Sequence, residues 1–139
     1  MATKTSERRK LGRAEARSLD VEISFLEGII RRDPQYEEAL QVLGDNYAQR
    51  GRHEDGVQVD EQLARLRPED PTVVYNLACS YALTKRFEDA FAALHRALDH
   101  GYRDFKWLSR DPDIKNLREH PRWKEVRQRI RAAKPDGCN

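Results

Sequence analysis

The chain has 139 residues, of which 36% are charged and 38% hydrophobic, and its mean hydropathy is -0.92. No segment reaches the roughly 18 consecutive apolar residues of a membrane span, and the apolar fraction is low for a compact globule of this size. A thin stack of helices explains the composition better, because each unit then buries apolar side chains only against its neighbours.

The charges are unevenly distributed although the formal net charge is only +2. Residues 1–17 carry about +4 and residues 102–139 about +5, so that the centre of the chain is acidic. Residues 1–16 lack an apolar face and the apolar core of a signal peptide, and we expect them to form a flexible basic extension.

The two cysteines, Cys79 and Cys138, lie far apart and outside any metal-binding spacing. We expect two thiols and no disulfide bond, Cys79 being buried among apolar helical residues. Together with the missing signal peptide, this favours a reducing, cytoplasmic location.

The first predicted helix lies between residues 17 and 34, with Ser18 as a possible N-cap. Its apolar residues recur at helical spacing on one face: Leu19, Ile23, Leu26, Ile29 and Ile30. We expect this segment to cap one end of a helical stack.

Two helix pairs follow. The first pair is predicted over 36–50 and 53–67, separated by Gly51, which is suited to a left-handed C-cap, and ended by Pro68. The second pair is predicted over 71–84 and 87–100, with Asp70 as the N-cap.

The two pairs repeat each other at an offset of about 34 residues. Leu43-Gly44-x-x-Tyr47 recurs as Leu77-Ala78-x-x-Tyr81, and Pro34 recurs as Pro68. Small residues next to large ones allow two helices to cross closely.

These motifs resemble the tetratricopeptide-repeat (TPR) family, whose first-helix signature matches Leu40-x-x-Leu43-Gly44-x-x-Tyr47. The resemblance implies an all-α fold, a right-handed α-α superhelix of antiparallel helix pairs with partial repeats at both ends. Gly56 and Asp60 depart from the pattern, where the family prefers alanine and a large apolar residue, and we expect them to weaken packing. The implied units are a single domain over 17–134 and a tail over 135–139, the domain being divided into 17–34, 36–69, 70–102 and 103–134.

The segment 103–134 resembles the terminal unit that closes many bacterial TPR arrays. Asp104 is a predicted cap of a short helix, Asp111-Pro112 interrupts it, and His120-Pro121 opens a last amphipathic helix. Such a unit covers the final apolar face of a stack.

No catalytic or metal-binding pattern is present in the sequence. The four histidines lie in different helices or at helix ends, and no glycine-rich phosphate loop or nucleophile motif occurs. We therefore expect a protein that is not an enzyme and has no cofactor.

The resemblance implies instead a concave groove, lined by the first helix of each pair, that binds a peptide segment of another protein. The residues predicted to line it are Gln41, Asp45 and Gln49, then Thr72, Tyr75, Asn76 and Cys79, and in the terminal unit Lys106 and Arg110. Val42 lies in the same register.

One TPR subset clamps a peptide's terminal carboxylate. Asn76, Lys106 and Arg110 stand at matching positions, but Gln41 and Asp45 replace the first lysine and asparagine of that clamp. A general groove with a basic end near Lys106 and Arg110 fits better, because Asp45 would repel a carboxylate.

Two alternatives remain open at this point. The basic ends are a possible nucleic-acid surface; the clusters are Arg8, Arg9, Lys10, Arg13 and Arg17, and Arg122, Lys124, Arg127, Arg129 and Arg131. Self-association through the end helix is the other, with Leu19, Leu26 and Ile30 as candidate contacts.

Overall fold

The computed structural model describes residues 10–133, which form helices and no β-strand. The α-helices are α1 (Arg13–Arg32), α2 (Glu37–Arg50), α3 (His53–Leu66), α4 (Pro71–Leu83), α5 (Phe87–Asp99), α6 (Phe105–Leu108), α7 (Lys115–Arg118) and α8 (Trp123–Ala133). A 3-10 turn, Pro112–Ile114, separates α6 from α7. The all-α class expected from the sequence is thus confirmed.

α1 begins at Arg13, earlier than the boundary predicted at residue 17. The N-cap is Gly12, whose backbone N–H donates to the Glu15 carboxylate at 3.2 Å, and Ser18 lies inside the helix. Residues 13–16 are therefore helical and do not belong to a flexible extension. Residues 1–9 and 134–139, which include part of that extension and the tail, lie outside the described residues.

The predicted helix ends agree closely with the structure. Gly51 follows α2 with a φ of 79°, in the left-handed region that only glycine adopts without strain. The Asp70 carboxylate accepts hydrogen bonds from the backbone of Thr72 and Val73, so it caps α4 as expected.

Each of the first four helices packs on the next: α1 on α2, α2 on α3, α3 on α4 and α4 on α5. Asp20, early in α1, pairs with Arg50, the last residue of α2, so these two helices are antiparallel. Glu37, the first residue of α2, likewise pairs with Arg67 just after α3.

The contacts between helices recur at the 34-residue offset. The Tyr47 hydroxyl of α2 donates to Glu27 of α1 at 2.5 Å, and the Tyr81 hydroxyl of α4 donates to Glu61 of α3 at 2.6 Å. The residues of each pair are 20 positions apart, and the second pair follows the first at an offset of 34, so the sequence repeat is also a repeat of packing.

An arginine covers each of these tyrosine rings. The guanidinium carbon of Arg52 lies 4.9 Å from one ring centre, and that of Arg86 lies 4.6 Å from the other. Arg52 pairs with Asp55, and Arg86 pairs with Asp89, each at 2.8 Å. The same four-residue arrangement is therefore built twice.

The core runs continuously through the helices, from Ile23 and Leu26 in α1 to Trp123 and Val126 in α8. Gly44 supports this packing because its α-carbon faces Val59 and Asp60 of α3; a methyl group there would reach both at 3.5 Å. Asp60, which departs from the repeat pattern, is buried, and its carboxylate accepts a hydrogen bond from the Ser80 hydroxyl of α4. The expected weakening of the packing stays a prediction.

Candidate peptide-binding site

α2 exposes a stripe of side chains on the side away from its core contacts. Leu40, Leu43 and Tyr47 are buried, whereas Gln41 and Gln49 are exposed and Asp45 is half-buried. Helical periodicity places Gln41, Asp45 and Gln49 on the side of α2 that faces away from the core, as predicted for these three candidate groove residues.

Val42 lies within this stripe and is 44% exposed. Large hydrophobic side chains with this exposure are few among residues 10–133, the others being Val21, Phe25 and Tyr36. An apolar side chain within a stripe of polar ones offers both hydrophobic contact and hydrogen bonding to another chain.

The equivalent position on α4, 34 residues later, is Asn76. Asn76 and Thr72 are half-buried, and the Asn76 Oδ1 atom is buried without receiving a hydrogen bond from the protein. Because this oxygen is shielded from solvent, a bound peptide would contact only the accessible part of the Asn76 side chain.

Two candidate groove residues, Tyr75 and Cys79, are not accessible, and their prediction is wrong. They are 0% and 1% exposed. The Tyr75 ring stacks on Tyr102 with centres 4.3 Å apart, and its hydroxyl donates to the Asp111 carboxylate at 2.6 Å. The Cys79 sulfur lies 3.7 Å from the same carboxylate oxygen, and burial raises the pKa of Tyr75 far above its usual value.

The terminal unit covers these residues because it folds back onto α4. The 3-10 turn packs on α4. The Asp111 carboxylate caps this turn by accepting a hydrogen bond from the backbone N–H of Asp113 at 2.9 Å. Asn116 donates to the Ala82 carbonyl at 2.8 Å, and Arg118 donates to the Asp111 carbonyl at 2.8 Å. Part of the expected groove is thus filled by the chain itself.

Lys106 and Arg110 are exposed on this terminal unit. The Arg110 guanidinium lies 6.0 Å from the centre of the Trp107 ring, which supports it from one side. The accessible candidates therefore form three groups: Gln41, Asp45 and Gln49 on α2; Thr72 and Asn76 on α4; Lys106 and Arg110 beyond α5.

The residues predicted to mediate self-association do not form an exposed patch. Leu26 is buried against α2, and Leu19 and Ile30 are half-buried. The exposed apolar residues of α1 are instead Val21 and Phe25, on the opposite side of the helix.

Two clefts that the sequence reasoning missed lie between alternate helices. One of about 590 Å³ lies between α1 and α3 with Leu43 and Tyr47 at its base, and one of about 400 Å³ lies between α3 and α5 with Leu77 and Tyr81 at its base. Their lining residues match at the 34-residue offset, which is the signal that would have located the second cleft from the first. Burial raises the pKa of Tyr81 to about 12, and its hydrogen bond to Glu61 adds to the effect.

The C-terminal basic cluster is partly committed to internal contacts. Arg129 of α8 donates to the His95 carbonyl at 3.1 Å and pairs with Asp99 at 2.5 Å. Trp123 is buried, so it offers no ring on which a base would stack. Arg8 and Arg9 of the N-terminal cluster lie outside the described residues.

Within residues 10–133, no helix has both the length and the apolar character needed to cross a membrane. Over the same residues, no three potential metal ligands from histidine, cysteine, aspartate and glutamate come together.

No protein-family model matches the chain. The chain is similar to a chloroplastic protein of Arabidopsis thaliana, with 33% identity over 79 residues. The similar segment covers 55% of this chain and 24% of the Arabidopsis protein, so the chain spans about a quarter of the length of that relative.

Proposed function

We propose that this chain is a non-catalytic adaptor of the TPR type that binds a segment of another protein. The binding surface is the exposed stripe of α2, continued by Asn76 of α4 and by the basic residues of the terminal unit. The observation that carries the proposal is Val42, an exposed apolar side chain within the polar stripe of a helix whose other face is packed in the core.

Two features support the TPR-type arrangement. Short connections join antiparallel helices that pack in chain order, and the Tyr–Glu contacts recur at an offset of 34 residues. In a stack of this kind the first helices of successive pairs share one face, which here means α2 and α4.

The chemistry of the surface favours an extended segment of mixed character. An apolar side chain of the ligand would contact Val42, and its backbone would contact the accessible part of the Asn76 side chain. Its acidic end would lie towards Lys106 and Arg110, because Asp45 places negative charge on α2.

The experiment uses peptides selected on the purified chain from a phage-displayed library of random segments of about 12 residues. Fluorescence anisotropy then measures their affinity for variants. We expect Val42→Asp and Asn76→Ala to weaken binding about tenfold each, which corresponds to about 1.4 kcal/mol.

Gln58→Asp is the matched control. Gln58 is exposed on α3 and lines the cleft between α1 and α3, away from the exposed stripe of α2. It should leave the affinity unchanged. The proposal fails if no peptide is selected, or if Val42→Asp and Gln58→Asp behave alike. Lys106→Glu with Arg110→Glu should weaken acidic peptides most at low salt.

A further inference from the structure

A cluster of polar groups centred on His95 joins α8 to α5. The Arg129 guanidinium of α8 donates to the His95 carbonyl at 3.1 Å, lies 3.2 Å from His95 Nδ1, and pairs with Asp99 at 2.5 Å. A guanidinium has only donors, so Nδ1 of His95 is the acceptor and carries no proton. The contact therefore requires the neutral imidazole.

His120, in the turn that leads into α8, makes a contact of the same kind. Its Nδ1 atom accepts a hydrogen bond from the backbone N–H of Arg122 at 3.1 Å, and a backbone N–H can only donate. α5 presents the rings of Phe87 and Phe91 to the His120 ring, with centres 5.4 and 5.2 Å apart. The turn before α8 and the middle of the helix are thus each held beside α5 by a histidine that accepts through Nδ1.

The groups around His95 act in opposite directions on its proton. Burial is the largest effect and lowers the pKa, and the guanidinium groups of Arg129 and Arg122 lower it further. The carboxylates of Glu125, 3.8 Å from Nε2, and Asp99 act against them. The pKa of His95 lies below 6.5 as a result, so the ring is neutral at pH 7, as its contact with Arg129 requires.

We propose that α8 is an acid-operated latch, in which protonation of His95 and His120 at Nδ1 releases α8 from α5 while α1 to α5 stay folded. A proton on His95 Nδ1 would point at the donors of Arg129, and a proton on His120 Nδ1 would point at a backbone N–H. Each hydrogen bond would be lost. Histidine is the side chain that ordinarily changes its charge between pH 5 and 8.

The apolar attachment of α8 is small enough for it to be released alone. Of its 11 residues, Trp123 and Val126 are buried, whereas α5 buries six of its 13. Phe91 of α5 is fully buried, and its ring is covered by His120 and by the Arg122 guanidinium, whose carbon lies 5.0 Å from the ring centre. Release of α8 therefore uncovers an apolar face of α5.

The pH dependence has a defined sign. The pKa of His95 is lower in the docked state than in the released state, so the released state binds the proton more readily. Docking is therefore strongest above pH 6.5 and weakens below it. For this one histidine the docking constant falls by up to about tenfold per pH unit.

Fluorescence of a Trp107→Phe variant follows the latch, because Trp123 is then the sole tryptophan. The indole N–H of Trp107 has no hydrogen-bond partner among the described residues, so the replacement removes no such bond. We expect the emission to move reversibly to longer wavelength with a midpoint below pH 6.5. Circular dichroism should lose no more helix than the 11 residues of α8. Emission that stays constant down to pH 4.5, or a loss of helix throughout the chain at the same midpoint, overturns the proposal.

Asparagine replacements test the two histidines. The amide oxygen of asparagine takes the place of Nδ1 as an acceptor and does not titrate, so His95→Asn/His120→Asn in the same background should keep α8 docked at pH 5. The matched control, His53→Asn/His100→Asn, changes the other two histidines and should respond like the parent. Equal responses of the two double variants refute the latch.

A measurement on the unmodified chain checks the same contacts without any variant. Long-range 1H–15N NMR spectra at pH 7.5 distinguish a protonated from an unprotonated ring nitrogen. His95 and His120 should each show an unprotonated Nδ1 and a proton on Nε2. A proton on Nδ1 of His95 at this pH would exclude the contact with Arg129 and overturn the latch.

Discussion

Replacing Gly56 by alanine should stabilise the protein, although glycine at this position departs from the repeat pattern. Gly56 lies in the first half of α3, and its missing methyl group would meet only Ser80 Oγ and Tyr47 Cβ, both at 3.9 Å. These are ordinary van der Waals distances, so the methyl group fits without displacing a neighbour. Alanine is favoured over glycine inside a helix by about 0.5–1 kcal/mol, which gives a rise in Tm of about 2–4 °C.

Gly51→Ala is the matched control, and its effect should have the opposite sign. A methyl group there would meet no atom within 4 Å, but the φ of +79° places an alanine in the left-handed region. The expected loss is about 1 kcal/mol. Urea denaturation of both variants and the wild type measures the free energies of unfolding. A destabilised Gly56→Ala variant would refute the packing described between α2, α3 and α4.

Three further predictions concern buried polar groups. Asp60→Ala should lower the free energy of unfolding by about 1–3 kcal/mol, because the Ser80 hydroxyl loses its acceptor. In urea denaturation, the double variant Asp60→Ala/Ser80→Ala should lose less stability than the sum of the two single variants. Tyr75→Phe removes the hydrogen bond to Asp111 and should cost about 1–3 kcal/mol at pH 7. Burial raises the pKa of Tyr75 above 10, so the native state keeps the phenol protonated while the unfolded state releases its proton, and stability is lost as the pH rises above 10. Denaturation at several alkaline pH values should show a smaller loss for Tyr75→Phe. Burial and a neighbouring guanidinium lower the pKa of His95 below 6.5, so stability should fall as the pH drops below 6.5, and His95→Gln should reduce this dependence when unfolding is measured between pH 5 and 7.

The regular part of the fold was predictable because local signals and the repeat period agree. Gly51 and Asp70 have conformational roles that do not depend on distant contacts, and the ends of α2 to α5 fall within one residue of the predicted ranges. The exposed stripe of α2 follows in the same way from helical periodicity.

The covering of Tyr75 and Cys79 was not predictable from periodicity. The interruption at Asp111-Pro112 was expected, but not that the two four-residue helices and the 3-10 turn between them would fold back onto α4. This break brings the Asp111 carboxylate onto α4, where it accepts a hydrogen bond from the Tyr75 hydroxyl. A contact between residues 36 positions apart depends on the geometry of the break, which helical spacing does not encode.

Asp60 shows a second limit of pattern reasoning. A carboxylate at an expected apolar position indicates a defect unless its partner is known, and the partner, Ser80, is an ordinary small residue of the next helix. The pair replaces a large apolar contact by a buried hydrogen bond, a compensation that only the three-dimensional arrangement shows.

The most direct test of the adaptor account is an NMR map of the 15N-labelled chain with a selected peptide. Binding should shift the signals of Gln41, Val42 and Gln49 on α2 and of Asn76 on α4, and an acidic peptide end should also shift Arg110. Shifts confined to the clefts beside α3, or spread over both sides of the molecule, would contradict a binding surface on α2.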